Sequence, residues 1–338
     1  MKILGINGGN GVILHPLKEY VVGNFEPRAV FHTASNKQWY SNFPESAPII
    51  KDWDLCKKRI NKVDVIVGAP DCGHSSILSY SRKKSLGEPK ENISLTYYIR
   101  AVKYYRPKVF LMENLPALLD TYGKKDLLEA FEGYHIKILR GSMADWGNSQ
   151  INRERILIVG MINPKWKKKF KRPELNGNIK TCKELLEGLE DEDIELGHVR
   201  ENIALPFTMY AGFKITGIDA ALRWRNELKG KSRWPVENRN FSTAPAVYRN
   251  LDDAYPATAR KANRQFNSKG LSMSPRELAR IQGVPDEFKI YFEDDEDTTY
   301  KEMVYWINKG RTTVTKCPPY EIGVWFKECL LKLKPWIT

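Results

Sequence analysis

Three short segments of the sequence carry side chains that could do covalent chemistry. Cys72 follows a Gly-Ala-Pro-Asp turn directly after one apolar run, and Glu113 with Asn114 ends another. Arg153 and Arg155 alternate where a third apolar run begins, so both side chains would share one face of a strand. An ionised thiol is a nucleophile, and a positioned carboxyl group can stabilise charge that develops on a substrate. The segments therefore predict a site at which a thiolate attacks and a carboxyl group assists.

Each segment also has an ordinary structural interpretation. A lone cysteine is commonly a small core residue, Glu-Asn at the end of a strand commonly caps a helix, and an Arg-x-Arg pair commonly lies on the surface. Taken one at a time, these interpretations are favoured. The order and spacing of the three segments together are what favour a site.

The elements that must position these residues follow from an alternation of strands and helices over the first half of the chain. Short apolar runs predict buried strands over residues 3–6, 29–31, 63–67, 109–112 and 156–159, and longer stretches between them predict helices over 94–105 and 127–131. This alternation is typical of an α/β fold with a doubly wound, mostly parallel sheet, whose ligands bind beyond the carboxyl ends of the strands. All three segments would then meet at that edge.

A second, smaller domain is predicted after the sheet, because the alternation breaks at residues 164–173, a basic run with interleaved aromatics and a proline at each end. The predicted division is a catalytic and cofactor-binding domain over 1–163, a small domain over 164–310, and a C-terminal helix returning to the first domain over 311–338. A helix is also predicted to start at Ser274, with Glu277 in a capping box, and the last helix over 320–333. The basic run is either a solvated linker face or a phosphate-binding segment, and charge alone does not choose between them.

Composition limits the class of protein. The formal charge of +13 over 338 residues favours an anionic partner. With 42% hydrophobic and 28% charged residues, the chain has the composition of a folded globular protein, and its longest apolar runs are too short to span a bilayer. No membrane association is expected, and the first residues carry no targeting pattern, which predicts a cytoplasmic protein. Five cysteines without regular spacing predict neither a disulfide framework nor a metal site.

The order of these segments resembles the cytosine-C5 DNA methyltransferase family over nearly the whole chain. The Pro-Asp-Cys turn stands where that family has a Pro-Cys loop, Glu113 stands at its Glu-Asn-Val segment, and Gln150 with the two arginines resembles its Gln-x-Arg-x-Arg element. The most specific match is residues 271–286, which are similar to the family's Arg-Leu-Thr-Pro-Arg-Glu helix and the Gln-Gly-Phe-Pro-Asp that follows it. The resemblance implies a class I methyltransferase-like sheet with a small target-recognition domain.

The resemblance also implies the roles of the catalytic residues. Cys72 would add as a thiolate to C6 of a cytosine, and Glu113 would hydrogen-bond at N3 of the ring. Arg153 and Arg155 would orient the base and the catalytic loop. The activated C5 would take a methyl group from S-adenosylmethionine, and loss of the C5 proton would release the cysteine. Because the thiol cannot reach C6 inside a base stack, the target cytosine would be flipped out of the duplex.

Cofactor binding is implied for a second group of residues. By the resemblance, the glycine turn after the first strand would approach S-adenosylmethionine, an acid would bind the adenine amino group, and a C-terminal segment would close the pocket. The residues assigned to this site are Ile6, Gly8, Gly9, Gly11, Asp52, Trp53, Pro70, Thr315 and Lys316. Counting back from Asn42, the acid expected to hold the ribose hydroxyls falls at Val30, so the sequence predicts that this acid is missing. Lys316 is an added cation where the family is neutral.

The predicted partner is double-stranded DNA, bound by a monomer without a metal ion, in a bacterial or phage-infected cell. The resemblance implies that the sequence-reading surface lies between residue 164 and about residue 250. The residues assigned to DNA contact are Ser76, Gln150, Arg223, Arg225, Arg233, Thr258 and Arg260. An ordinary surface with packed tryptophans is the alternative for the arginines of that region. A restriction-modification partner, a solitary modifier and a phage self-protection enzyme stay open as biological roles.

Two other functions stay open at this point. Loss of the ribose acid, together with Lys316, is consistent with a carboxylated S-adenosyl donor, in which case a group heavier than methyl would be transferred. The altered cofactor pocket is also consistent with a non-catalytic DNA-binding relative, although retention of Cys72 and Glu113 favours catalysis. A transfer-RNA cytosine methyltransferase is disfavoured, because the sequence lacks the Cys-Phe-Thr segment typical of those enzymes.

Overall fold

A computed structural model describes residues 1–27, 33–71, 92–150, 153–173, 179–189, 202–203, 273–293 and 296–337. The chain divides into two compact units. The first unit comprises residues 1–147, 152–177 and 318–338, and the second comprises 148–151 and 178–317. None of the helices in these described ranges is long and apolar enough to cross a membrane.

The described part of the first unit is built on a mixed sheet. Its strands are β1 (Ile3–Ile6), β2 (Val21–Phe25), β3 (Ile49–Ile50), β4 (Val65–Gly68), β5 (Val109–Asn114), β6 (His135–Ser142) and β7 (Glu154–Met161). They lie in the order β3-β2-β1-β4-β5-β7-β6. The neighbours from β3 to β5 are parallel, whereas β7 runs antiparallel to both β5 and β6. The predicted α/β fold with a mostly parallel sheet is confirmed.

Helices and short turns of helix connect these strands. The helices of the first unit are α1 (Thr33–Tyr40), α2 (Trp53–Arg59), α3 (Ile93–Tyr105), α4 (Lys124–Ala130), α8 (Tyr320–Leu331) and α9 (Lys334–Ile337), and those described in the second unit are α5 (Cys182–Leu186), α6 (Pro275–Ile281) and α7 (Tyr300–Thr315). Short 3₁₀ segments cover His15–Tyr20, Met143–Trp146 and Pro164–Lys169, and a π turn covers Leu119–Gly123.

The sheet is buried on both faces. One apolar layer includes Leu14, Trp39 and Trp325, and the other includes Trp53 and Tyr98. A strand covered on both sides reads as a continuous apolar run rather than as an alternation, which is why β1, β4 and β5 stand out in the sequence. The strands predicted over residues 3–6, 63–67, 109–112 and 156–159 correspond to β1, β4, β5 and β7.

The strand predicted over residues 29–31 lies outside the described residues. The strand that pairs with β1 on this side is β2, at Val21–Phe25, which the sequence analysis missed, as it missed β3, β6 and α7. Gly23 and Asn24 interrupt the apolar pattern of β2. A Cβ at residue 23 would lie 2.8 Å from Ile60 Cδ1, and Asn24 Oδ1 accepts a hydrogen bond from the glycine turn after β1. The helices predicted over 94–105, 127–131 and 320–333 correspond to α3, α4 and α8.

The basic run belongs to the first unit, although the predicted domain boundary lay before it at residues 163 and 164. Trp166 and Phe170 are buried in the same apolar layer as Phe326. The indole Nε1 of Trp325 donates to the carbonyl of Lys171 at 2.7 Å. The chain therefore leaves the first unit after residue 177, and it returns at residue 318 rather than at the predicted residue 311.

The second unit contains the capped helix that the sequence predicted. The Ser274 hydroxyl accepts a hydrogen bond from the Glu277 N–H at 3.1 Å, and a Glu277 carboxylate oxygen accepts from the Ser274 N–H at 2.6 Å. This reciprocal capping box satisfies N–H groups that a helix otherwise leaves without partners. Arg276 is buried and donates to the carbonyls of Pro285 and Phe288, so the loop after α6 is held against the helix.

Candidate active site

The carboxyl ends of β4 and β5 bring the predicted catalytic segments to one edge of the sheet. Gly68, the last residue of β4, pairs with Met112, and Glu113 and Asn114 complete β5. A Cβ at Gly68 would lie 2.0 Å from the carbonyl oxygen of Ile6, so only glycine lets the ends of β1 and β4 approach this closely. The turn toward Cys72 therefore starts beside Glu113.

Two asparagines hold the backbone directly before Cys72. Asn114 Nδ2 donates to the carbonyl oxygen of Pro70 at 2.9 Å, and Asn92 Nδ2 donates to that of Asp71 at 3.0 Å. Asn92 also caps α3, because its Oδ1 accepts from the Leu95 N–H. Cys72 itself lies outside the described residues. What the structure describes is its point of attachment, which is fixed to the end of β5 and the start of α3.

An ion pair between Glu113 and Arg155 joins two of the predicted catalytic residues. Arg155 Nε lies 2.8 Å from Glu113 Oε1, and the exposed fractions of their side chains are 15% and 8%. The antiparallel pairing of β5 with β7 explains the contact, because Asn114 pairs with Ile156 at the same edge. A charge-assisted hydrogen bond in a mostly buried site fixes the direction of both side chains. The carboxyl group is thus oriented before any substrate binds.

Arg153 and Gln150 are both buried in the described structure. Arg153 is 2% exposed. Gln150 is 0% exposed, and its Nε2 lies 2.8 Å from Gln282 Oε1 and 3.2 Å from the carbonyl oxygen of Ile281. The amide of Gln282 in turn donates to the carbonyl of Val314 at 3.1 Å. The DNA contact predicted for Gln150 stays a prediction, and in the described structure its amide belongs to a buried network of the second unit.

The glycine turn after β1 is tight. Gly11 N–H donates to the carbonyl of Gly8 at 3.0 Å, and Gly11 has a φ of +86°. A Cβ on Gly11 would lie 2.3 Å from the ring of Phe43, so this residue must be glycine on both grounds. Ile6 is fully buried in the apolar layer that contains Phe25, where it packs as a core residue.

A buried carboxylate lies at the end of β2, where the sequence analysis assigned no acid. Glu26 directly follows β2, is 4% exposed, and its Oε1 accepts a hydrogen bond from the Gly9 N–H at 2.9 Å. Next to it, Asn24 Oδ1 accepts from the Gly8 N–H at 3.1 Å. The predicted position, Val30, lies outside the described residues. The apolar run that ends in Phe-Glu-Pro was the sequence signal that identifies Glu26.

The other residues assigned to cofactor binding are divided between the two units. In the first unit, Asp52 caps α2, where its Oδ1 accepts from the Leu55 N–H at 2.6 Å, and the Trp53 ring packs edge-on against Phe25. Pro70 is buried at the turn before Cys72. In the second unit, the Thr315 hydroxyl donates to a carbonyl inside α7, and Lys316 is exposed at the end of that helix. The remaining predicted site residues, Ser76, Arg223, Arg225, Arg233, Thr258 and Arg260, lie outside the described residues.

The described thiols are poor candidates for a nucleophile. All four are buried and form no disulfide with one another: Cys56, Cys182, Cys317 and Cys329. Burial raises the pKa of Cys56, and burial raises the pKa of Cys329 to about 12. A thiol with a raised pKa stays neutral near pH 7 and does not attack carbon. Among the five cysteines of the sequence, Cys72 is the one that follows a strand end.

Comparison with known proteins identifies relatives along most of the chain. The family model described as C-5 cytosine-specific DNA methylase matches residues 32–304. The Type II methyltransferase M.FnuDI of Fusobacterium nucleatum is 25% identical over 318 residues, which cover 88% of each chain. The Type II methyltransferase M.Bpa9945I of Bacillus paralicheniformis is 33% identical over 116 residues, and that alignment covers 30% of this chain and only 26% of the relative.

Two solved structures share the fold. A protein assigned as a DNA modification methyltransferase and encoded within an E. coli prophage superposes with a TM-score of 0.65 at 17% identity, over 99% of each chain. The Dnmt2 methyltransferase of S. pombe superposes with a TM-score of 0.54 at 11% identity, over 99% of this chain and 100% of that one. At these identities the likeness concerns the fold alone.

Proposed function

The chain belongs to the C-5 cytosine-specific DNA methylase family, and from this premise we propose that it is a DNA methyltransferase acting on C5 of a cytosine in duplex DNA. The observation that carries the proposal is the oriented Glu113 carboxyl group, paired with Arg155 at the strand edge from which the chain turns toward Cys72. The names of the curated relatives support a role as the modification enzyme of a type II restriction-modification system.

The carboxyl edge of the sheet fits S-adenosylmethionine, the methyl donor that the family implies. A buried carboxylate beside a glycine turn supplies charged acceptors for the two ribose hydroxyls, and Glu26 stands at that place with one oxygen already fixed by Gly9. Asn24 adds a buried Nδ2 that has no hydrogen-bond partner among the described residues. Asp52 would accept from the adenine amino group. When bound, the cofactor supplies a methyl group attached to an electron-poor sulfur.

The first chemical step is the addition of the Cys72 thiolate to C6 of the cytosine. The sulfur–carbon bond forms, the C5–C6 double bond opens, and negative charge spreads to C5 and N3. Before the thiolate has added at C6, C5 is too weak a nucleophile to attack a methyl group. The addition is therefore what makes the methyl transfer feasible. The asparagines that hold the carbonyls of Pro70 and Asp71 limit where the thiol can go, which lowers the entropy lost on reaching C6.

Glu113 stabilises the charge that the addition places on the ring. The carboxyl group would hydrogen-bond at N3 of the ring, and the Arg155 guanidinium on its other side holds it in that direction. After the methyl group has reached C5, a base removes the C5 proton, the C5–C6 double bond re-forms, and the thiolate leaves. The enzyme is thereby regenerated with the base aromatic again.

The unmodified donor is the one we propose. A carboxylated donor was considered because the ribose acid was predicted to be missing and Lys316 was an added cation. Glu26 removes the first of these two reasons. The added cation at Lys316 does not by itself require a carboxylated donor. The group transferred in this proposal is therefore methyl.

Covalent trapping tests the proposal and separates an enzyme from a DNA-binding relative. Purified protein and S-adenosylmethionine are incubated with duplexes of randomised sequence in which 5-fluorocytosine replaces cytosine. Fluorine at C5 cannot leave as a proton, so the bond between the thiol and C6 persists and survives denaturing electrophoresis. We expect trapping by the native protein and by Cys329→Ser, whose hydroxyl can still donate to the carbonyl of Lys169, and none by Cys72→Ser. Trapping that survives Cys72→Ser, or no trapping at all, would contradict the proposal.

A further inference from the structure

A group of lysines forms a basic face on the first unit, outside the site described above. Its members are Lys137, Lys165, Lys167, Lys168, Lys169, Lys171 and Lys332, and all but the half-buried Lys137 are exposed. The two aromatic residues inside the run, Trp166 and Phe170, are buried core residues. The run is therefore presented by a rigid turn of the fold and is not a free linker.

Charges of one sign are crowded on this face. Lys137 Nζ donates to the carbonyl of Lys167 at 3.3 Å, which places its ammonium group within the run. Burial lowers the pKa of Lys137, and the nearby charges of Lys167 and Lys171 lower it further. The thiol of Cys329 donates to the carbonyl of Lys169 at 3.3 Å, so the end of α8 lies against the same turn.

Among the residues that the structure describes, carboxylates do not neutralise the run. Within the described ranges, no ion pair involves any of the lysines at positions 165, 167, 168, 169 and 171, whereas Arg172 is paired with Asp145 at 3.1 Å. An ordinary solvated surface intersperses both signs of charge, and an uncompensated positive cluster instead attracts polyanions. Residues three apart in a 3₁₀ turn, such as Lys165 and Lys168, project from the same side about 6 Å apart, so the turn presents more than one ammonium group in the same direction.

The basic face lies at the opposite edge of the sheet from the catalytic residues. Because β7 is antiparallel to β5, Leu157 pairs with Glu113 at the carboxyl edge, and Met161 pairs with Val109 at the amino edge. The four residue steps from Leu157 to Met161 extend over about 13 Å. The run begins at Pro164, beyond the amino edge. It therefore faces away from a base bound at Glu113.

We propose that the basic face is a second, non-catalytic DNA site that binds backbone phosphates outside the target sequence. This inference rests on the proposed function for the identity of the polyanion as duplex DNA. Contacts to phosphates carry no sequence information, so this site would keep the protein on DNA between target sequences and would not choose the target.

Salt dependence of binding to DNA without cytosine tests the inference. The probe is a short duplex of A·T pairs only, whose affinity is measured by fluorescence anisotropy between about 50 and about 200 mM salt. The variant is Lys165→Gln/Lys167→Gln/Lys168→Gln, which keeps both aromatic anchors. The matched control is Lys62→Gln/Lys124→Gln/Lys125→Gln, which removes the same charge from three other exposed lysines.

Three lost phosphate contacts should reduce the slope of log affinity against log salt by about 2.7. Over that fourfold range of salt, the affinity of the native protein should fall about 40-fold more than that of the variant. The control should keep the native slope. An unchanged slope in the variant, an equal change in the control, or an effect seen only with an RNA duplex would overturn the inference.

Methylation is measured separately, so the two proposals fail independently. On a saturating cytosine-containing duplex, the variant should keep the native single-turnover methylation rate, because none of its residues lies at the catalytic edge. If no protein form methylates DNA but the slope still differs, the proposed function fails and the polyanion site stands. A large loss of methylation at saturating DNA in the variant would instead place the face within the catalytic complex and overturn its separate role.

Discussion

Replacing Glu26 with glutamine should weaken cofactor binding without unfolding the protein. The carboxylate is 4% exposed, and one of its oxygens accepts from the Gly9 N–H at 2.9 Å. Glutamine has the same shape, and its amide oxygen can keep that bond to the glycine turn. The second oxygen becomes an NH₂ group, so a charged acceptor for the ribose hydroxyls is lost.

The size of the effect follows from the loss of a charged hydrogen bond. Such a bond contributes roughly 1.5–3 kcal/mol, which corresponds to about a 10- to 150-fold increase in Kd. Isothermal titration calorimetry measures this with S-adenosylmethionine and with S-adenosylhomocysteine, which has the ribose but lacks the positive sulfur. A ribose contact predicts the same loss for both ligands, whereas a long-range attraction to the sulfur predicts a loss for S-adenosylmethionine alone.

The control is Glu45→Gln, which removes a negative charge from an exposed position of the first unit. We expect native affinity for both ligands in this variant. Native affinity in Glu26→Gln as well would refute the assignment of Glu26 as the ribose acid, and with it the fit of this edge to the cofactor.

Three further predictions concern the catalytic pair, the buried amide network and the thiols. Arg155→Gln should lower kcat about 100- to 1,000-fold, because Glu113 loses the group that orients it. The control Arg140→Gln breaks only an exposed ion pair, so it should change the free energy of unfolding by less than about 1 kcal/mol and keep the native kcat. Equal kcat values in the two variants would contradict this prediction. Gln282→Leu should lower the free energy of unfolding by at least about 2 kcal/mol. The Gln150 amide and several buried carbonyls would lose a hydrogen-bond partner, and each buried polar group left unpaired costs roughly 1–3 kcal/mol. An unchanged denaturation midpoint would argue against this network. Iodoacetamide at about pH 8 should modify Cys72 in the native protein and all five cysteines after unfolding. Burial raises the thiol pKa values of Cys56 and Cys329 and keeps these two groups protonated in the native protein. Fast alkylation of Cys329 in the native protein would count against this prediction.

The central strands could be predicted because burial on both faces leaves a continuous apolar run in the sequence. β1 was predicted with its observed bounds, Ile3–Ile6. β2 was missed because Gly23 and Asn24 interrupt its apolar run. These two residues are explained by contacts with distant parts of the chain, which the local sequence does not show. β6 was missed for another reason, since this edge strand is only partly buried along its length and carries polar residues.

The site could be predicted only as far as residue types at strand ends allow. The approach of Glu113 to Arg155 follows from strand pairing, and the sequence indicated that both would lie at one edge. The bond from Glu26 to Gly9 and the amide of Asn114 on the carbonyl of Pro70 join residues 17 and 44 positions apart. Contacts at such separations depend on the complete fold and leave no local pattern. The burial of Gln150 could not be anticipated for the same reason.

The most direct test of the proposed activity is nucleoside mass spectrometry of DNA treated with the purified protein. Unmethylated genomic DNA, which offers many target sequences, is incubated with S-adenosylmethionine and either the native protein or Cys72→Ser, and is then digested to nucleosides. The account predicts a 5-methylcytosine peak with the native protein that is absent with Cys72→Ser. An equal peak from both proteins, or no methylated cytosine from either, would contradict it.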